Sequence, residues 1–312
     1  MILNILIIII GVTLVIWGAD RMTDGAVCIA QRLNIPQIVI GLTIVAMGTS
    51  MPEFCVSLVS ALKGTPDLAV GNVVGSNVFN ELLIVGVAAV VSPMVISRST
   101  VRKDIPWGVF AAVVLSLMCI DMVITRIDAM LLSIGFIAFM LYTLKTAMKG
   151  QSEQQEDEKK MDYKPLFAIG LVLLGLACLI VGSNIFVDAA TKVAQQLNVP
   201  ESVIGLTIVA GGTSLPELAT SVVAARKGQS AIAIGNIIGS NVFNVLMIVG
   251  ITGLICPMQI EGITVIDLSV MSIGIVLLWL FSFTKYTVER WEGVLLIAIY
   301  LGYMAWLMSQ VI

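Results

Sequence analysis

Histidine is absent from all 312 residues, and charge is scarce, with 17 Lys and Arg against 20 Asp and Glu. The first absence excludes imidazole acid-base catalysis and histidine-ligated metals. The five cysteines, Cys28, Cys55, Cys119, Cys178 and Cys256, are scattered and never form CxxC. Neither a disulfide framework nor a zinc site is suggested, and core packing is the expectation for them. A formal charge of -3 is too small to imply a nucleic-acid partner. Long polar stretches are nearly missing as well, the one example being QSEQQEDEKKMDYK at 151 to 164.

What remains is apolar. Hydrophobic residues make up 58% of the chain and mean hydropathy is +1.04, far above soluble globular proteins. The expectation is an all-α, multi-pass membrane protein. At roughly 20 apolar residues per helical span, ten candidates centre near residues 10, 46, 79, 115, 138, 175, 210, 243, 273 and 301. The opening ILNILIIIIGVTLVIWG has no preceding basic residue and no small-residue cleavage site, so it reads as the first span rather than a signal peptide.

The polar stretch divides the spans into two sets of five: a first unit at 1–150, a solvated linker at 151–164 and a second unit at 165–312. Moving the second unit back by 164 positions aligns Gly175 with Gly11, Pro200 with Pro36 and Pro257 with Pro93 without a gap. This is an internal repeat. It is densest where GLTIVAMGTSMPE (41 to 53) meets GLTIVAGGTSLPE (205 to 217) and GNVVGSNVFN (71 to 80) meets GNIIGSNVFN (235 to 244). An odd number of spans per unit makes the second copy enter the membrane from the opposite side, so the repeats are expected to be inverted. With ten spans, 14 of the 17 Lys and Arg fall on the face holding the linker, and only Lys63, Arg126 and Lys192 on the other. The positive-inside rule then places the linker in the cytoplasm and both termini outside a cell membrane.

The second and seventh spans each carry a proline beside a carboxylate. Pro52 and Pro216 lack an amide hydrogen and clash with the carbonyls of Gly48 and Gly212, so the helices should break or kink there. Irregular backbone at membrane depth is tolerated where it lines a polar cavity or binds an ion. Glu53 and Glu217 supply charge, Thr49 and Thr213 stand four residues before them, and Ser50 and Ser214 add hydroxyls. In the third and eighth spans Ser76 and Asn80, and Ser240 and Asn244, have the same spacing beside a Gly-Ser-Asn expected to loosen the helix. Every donor offered is oxygen, which suits hard cations such as Ca2+ and Na+. Small residues in those segments also fit simple close helix packing. An ionised carboxylate at the bilayer centre, however, costs about 2.5 to 3.5 kcal/mol. Its duplication without a nearby Lys or Arg points to a bound cation.

The other acids read differently. Asp121 and Asp267 stand near span ends, where solvation is the ordinary expectation. Glu81 follows Asn80, but the matching residue after Asn244 is Val245, and about 100 degrees of helical rotation separates Glu81 from Asn80. It is expected to face a portal or a neighbouring helix.

With both copies of GLTIVA(M/G)GTS(M/L)PE and GN(V/I)(V/I)GSNVFN at one offset, the chain resembles the sodium/calcium exchanger family of the Ca2+/cation antiporter superfamily, prokaryotic type. The resemblance covers the whole chain. It implies ten helices in two inverted five-helix repeats, with helices 2, 3, 7 and 8 broken around a midplane site and helices 1 and 6 long, tilted and sliding. Glu53 and Glu217 would be the ligands shared by Ca2+ and Na+, with the carbonyls of Thr49 and Thr213 completing the Ca2+ site. Ala46, Ser50 and Ser76 would form one sodium site, and Ala210, Ser214 and Ser240 its counterpart. Asn80 and Asn244 take the remaining central positions, where some relatives carry aspartate.

The implied activity is antiport of Na+ and Ca2+ by alternating access, with no enzyme chemistry, no cofactor and no protein partner beyond the lipid bilayer and the transported ions. Two glutamates are neutralised by one Ca2+ or by two Na+, whereas three Na+ leave one excess charge. A neutral site occludes most readily in a low dielectric. Proton-coupled and potassium-dependent Ca2+ exchange stay open as alternatives. A cation channel fits less well, because two broken helices in inverted repeats enclose one site rather than a pore. An intramembrane aspartyl protease would not need the surrounding hydroxyl and amide oxygens. The short linker holds no DxDxDG pattern, so no built-in calcium sensor is expected.

Overall fold

The computed structural model describes residues 1–149, 163–197, 199, 201–260 and 262–311. The expected linker at 151–164, apart from Tyr163 and Lys164, lies outside the described residues. The fold is helical. In chain order the main helices are α1 (Ile2–Leu33), α2 (Gln37–Thr49), α3 (Met51–Leu62), α4 (Leu68–Val91), α5 (Ile105–Met118) and α6 (Arg126–Ala147). There follow α7 (Pro165–Gln196), α8 (Thr207–Thr213), α9 (Leu215–Arg226), α10 (Ser230–Ile255), α11 (Val265–Phe283) and α12 (Arg290–Gln310). Seven of these are long and apolar enough to cross a membrane, or nine when the bent pairs α2/α3 and α8/α9 each count as one span. Helix α5 falls outside that count because it has 14 residues, about 21 Å at 1.5 Å per residue against a hydrocarbon core of about 30 Å.

Helices α1 and α7 have 32 residues each, about 48 Å, so they must tilt or project beyond a bilayer. They cross in close contact through glycine. A Cβ on Gly18 would stand 2.8 Å from the carbonyl oxygen of Gly175, and one on Gly175 would stand 2.6 Å from that of Gly18. Gly11 and Gly182 are related in the same way, both at 2.9 Å. Gly11 and Gly175 occupy one position of the sequence repeat, and Gly18 and Gly182 another. Each repeat therefore meets the other through equivalent glycines.

Two antiparallel ribbons tie the halves together at their ends. Met94–Val95 (β1) pairs with Thr287–Val288 (β4), and Val123–Ile124 (β2) pairs with Met258–Gln259 (β3). Helix α5 runs from the first ribbon to the second, and α11 runs back, so the ribbons cap opposite ends of these two helices. The start of α11 is set by a capping box in which Thr264 and Asp267 exchange backbone hydrogen bonds, and Tyr303 donates to Asp267 at 2.7 Å. Thr125 and Asp128 do the same before α6. Asp121 accepts from the amide of Val123. Asp121 is exposed, as its place at a span end suggested, whereas Asp267 is buried and held by Thr264 and Tyr303 instead of solvent.

Helices 3 and 8 of the expected scheme, here α4 and α10, are continuous rather than broken. Each absorbs its irregularity in a wide π-helical segment, Phe79–Ile84 and Phe243–Val249. Their Gly-Ser-Asn loosens the helix but removes no amide hydrogen, and without proline the hydrogen-bond ladder widens instead of parting.

Candidate cation site

The breaks in the second and seventh spans fall on serine. Ser50 (φ -84, ψ 7) separates α2 from α3, which bend by 47°, and Ser214 (φ -90, ψ 8) separates α8 from α9, which bend by 58°. Each following helix begins with proline in its first turn, where no amide hydrogen is needed. Glu53 and Glu217 sit in those same first turns. Proline thus makes a new helix N-terminus at mid-span, and the carboxylate gains that end's positive dipole.

The carbonyl that Pro216 frees is not left to a ligand. Ser183 of α7 donates to Gly212 O. The repeat equivalent of Ser183 is Ala19, which has no hydroxyl, so the first half does not reproduce this bond.

Both carboxylates are sealed from solvent, Glu53 at 0% exposure and Glu217 at 1%. Their partners cross between the halves. Ser50 Oγ donates to Glu217 Oε1 at 2.8 Å, and Ser214 Oγ donates to Glu53 Oε1 at 2.9 Å. Although Thr49 stands four residues before Glu53, the break turns each Thr-Ser pair toward the carboxylate of the opposite repeat. Ser76 Oγ stands 3.2 Å from Ser214 Oγ. Oε2 of both glutamates, Oγ of Ser240 and Oδ1 of Asn80 and Asn244 are buried and have no hydrogen-bond partner among the described residues. Buried polar atoms are nearly always satisfied, so five such oxygens on the four helices of one site fit a cation. Thr49 is buried and Thr213 half-buried; the alanines frame the breaks, Ala46 O accepting from Thr49 at 3.3 Å and Ala210 O from Thr213 at 3.1 Å.

Two asparagine pairs escaped the sequence reading. Asn72 Nδ2 donates to Glu53 O at 3.2 Å and to Ser57, and Asn236 Nδ2 to Glu217 O at 3.4 Å and to Ser221. They fasten each carboxylate-bearing turn to α4 or α10. Deeper in, Asn80 Nδ2 donates to Asn241 Oδ1 at 2.9 Å, and Asn244 Nδ2 to Asn77 Oδ1 at 3.1 Å. The signal was present as duplicated Asn in GN and GSN, but nothing in the spacing distinguished ligands from their supports.

The halves are not equivalent around the site. A Cβ on Gly235 would meet Ile38 O at 2.8 Å and one on Gly239 the backbone of Leu42 at 2.8 Å, so α10 is packed hard on α2. Gly71 and Gly75, the repeat equivalents on α4, have nothing within 4 Å. Thr49 donates to Asn236 at 3.0 Å on the packed side. Ala46 is buried there, while Ala210 is exposed on the other. The helices around the site are packed tightly along α2/α10 and loosely along α4.

Oxygen donors, two buried carboxylates and irregular helices at mid-span define a membrane cation transporter, and the comparisons with known proteins agree. The family model described as sodium/calcium exchanger protein matches twice, over residues 3–145 and 167–309. The chain belongs to the sodium/calcium exchanger family. It is 36% identical to a putative antiporter, CaxA, of Alkalimonas amylolytica, over 99% of this chain and 100% of that one. It is 31% identical to the sodium/calcium exchanger MaX1 of Methanosarcina acetivorans over 96% of this chain and 97% of that one. The solved structure of the sodium-calcium exchanger NCX_Mj, soaked with Na+ and Ca2+, superposes with a TM-score of 0.85 at 30% identity, covering 98% of both chains.

Proposed function

We propose that the protein is a secondary antiporter exchanging Na+ for Ca2+ across the cell membrane, with both ions competing for Glu53 and Glu217. The observation that carries this reading is the crossed pair of bonds, Ser50 to Glu217 and Ser214 to Glu53, which leaves one free oxygen on each buried carboxylate. A cation bridging those oxygens ties the two halves together, and its loss leaves two like charges facing a low dielectric. Ser76, Ser240, Asn80, Asn244 and the backbone at Ala46, Thr49, Ala210 and Thr213 complete the ligand set in this reading.

The architecture proposed is ten spans in two inverted repeats, 1–150 and 165–312, joined by 151–164. The π-helical turn Thr100–Asp104 runs directly into α5 and lengthens it toward a tenth span. The reciprocal α1/α7 crossing and the ribbons at opposite ends of α5 and α11 support the inversion. With the linker cytoplasmic and both termini outside, the tightly packed α2/α10 side faces the cytoplasm and the loosely packed α4 side faces out. Alternating access then exchanges which of the two equivalent seams is closed.

Equilibrium binding tests the shared site. Purified protein should bind 45Ca2+ in competition with Na+, and Glu53→Gln should lose that binding while its thermal unfolding stays cooperative. Ca2+ binding indifferent to Na+ would overturn the reading.

A further inference from the structure

A third carboxylate lies beside the site and has no counterpart in the other half. Glu81 is 1% exposed, accepts a hydrogen bond from Asn241 Nδ2 at 2.8 Å and packs its other oxygen against Gly274 of α11. The repeat equivalent of Glu81 is Val245.

The direction of the hydrogen bonds gives it a role. A primary amide presents an oxygen on one side and an NH2 on the other, and only the oxygen can bind a cation. Asn80 Nδ2 donates to Asn241 Oδ1, and Asn241 Nδ2 donates to Glu81 Oε1. The chain of amides therefore ends on an acceptor, which sets the orientation of Asn241 and through it that of Asn80, whose Oδ1 is the unpartnered oxygen. In the other half the sequence of bonds is Asn244 Nδ2 to Asn77 Oδ1, then Asn77 Nδ2 to the backbone carbonyl of Asn241 at 3.3 Å. There a carbonyl ends the chain. Glu81 is the first half's replacement for it, since the Asn241 amide that would mirror this bond turns to Glu81.

We infer that Glu81 is a positioning residue for cation binding: through Asn241 it holds the Asn80 amide with its oxygen, not its NH2, toward the site. This rests on the reading of Asn80 as a ligand in the proposed function. Without an acceptor at 81, both amides are free to flip, and a flipped Asn80 offers a cation the wrong end of its dipole.

The test is 45Ca2+ binding to the purified full chain, with thermal unfolding measured in parallel. Glu81→Met removes the acceptor and should weaken Ca2+ binding about tenfold, the scale of one buried hydrogen bond. Glu81→Gln keeps an acceptor oxygen and should restore most of that affinity. In an Asn80→Ala background, Glu81→Met should add no further loss. If Glu81→Met does not fold, Gly274→Ala serves instead, because its Cβ would lie 2.7 Å from Glu81 Oε2 and displace the carboxylate without removing it. Gln as damaging as Met, additive losses in the double variant, or parental binding by Glu81→Met and Gly274→Ala would each overturn the inference. Glu53→Gln is the control for the site itself: if it binds Ca2+ as the parent does, the proposed function fails whatever Glu81 does.

Discussion

Ser50 of the first repeat donates its hydroxyl to Glu217 of the second at 2.8 Å, and the bond is returned by Ser214 to Glu53 at 2.9 Å. Neither serine caps its own helix, although each stands at the N-terminal end of one. The hydroxyls are used between the two repeats, so each carboxylate is oriented by the opposite half.

Removing one of these hydroxyls should therefore impair the site without abolishing it. A hydrogen bond to a buried charged group is worth about 1 to 3 kcal/mol, or roughly 5- to 150-fold in affinity. Ser50→Ala and Ser214→Ala are expected to weaken apparent Ca2+ affinity within that range and by similar factors, measured as half-saturation of 45Ca2+ uptake. A large loss in one and none in the other would contradict a reciprocal pair.

The glycine crossing of α1 and α7 predicts sharp positional sensitivity. Gly18→Ala places a Cβ 2.8 Å from Gly175 O, where only backbone can yield. Overpacking of this kind costs about 1 to 3 kcal/mol, so Gly18→Ala should lower the unfolding temperature and slow exchange. Gly170→Ala on α7, with nothing within 4 Å, should do neither. Equal effects from the two would show that the crossing is not under close contact.

An ion-pair cluster stands on the tightly packed side. Lys227 Nζ, just after α9, lies 2.6 Å from Asp20 and 2.7 Å from Asp24 of α1. The repeat equivalents are Lys63, Asn184 and Asp188, of which Lys63 and Asp188 are exposed and make no ion pair among the described residues. If the halves exchange conformations, the second set should pair when the first parts. Lys227→Met is then expected to favour the opposite-facing state and to reduce labelling of a Gly75→Cys probe by an impermeant maleimide, with the five native cysteines replaced. Lys63→Met should leave that labelling unchanged or raise it. Unaltered labelling in Lys227→Met would remove the cluster from the conformational cycle.

Pro52 and Glu53 were legible because proline acts on its own helix, four residues back, and because the pattern returns at Pro216 and Glu217. Contacts between the halves were not. An offset of 164 says which residues are equivalent, not which of them touch, so the Ser50–Glu217 crossing and the Asn72 and Asn236 clasps had no local signature. Gly-Ser-Asn at 75–77 and 239–241 suggested breaks where the structure has π-helical turns downstream, since glycine weakens a helix without deleting a hydrogen bond. Glu81 was visible as an acid whose repeat equivalent, Val245, is apolar, but its bond to Asn241 depends on the packing of α4 against α10.

The most direct test of Na+/Ca2+ exchange is 45Ca2+ uptake into proteoliposomes loaded with Na+ and diluted into choline, compared with equal Na+ on both sides and with an imposed proton gradient. Uptake that requires the outward Na+ gradient, ignores the proton gradient and vanishes in Glu217→Gln is the expected result. Uptake driven by protons without Na+, or undiminished in Glu217→Gln, would contradict the account.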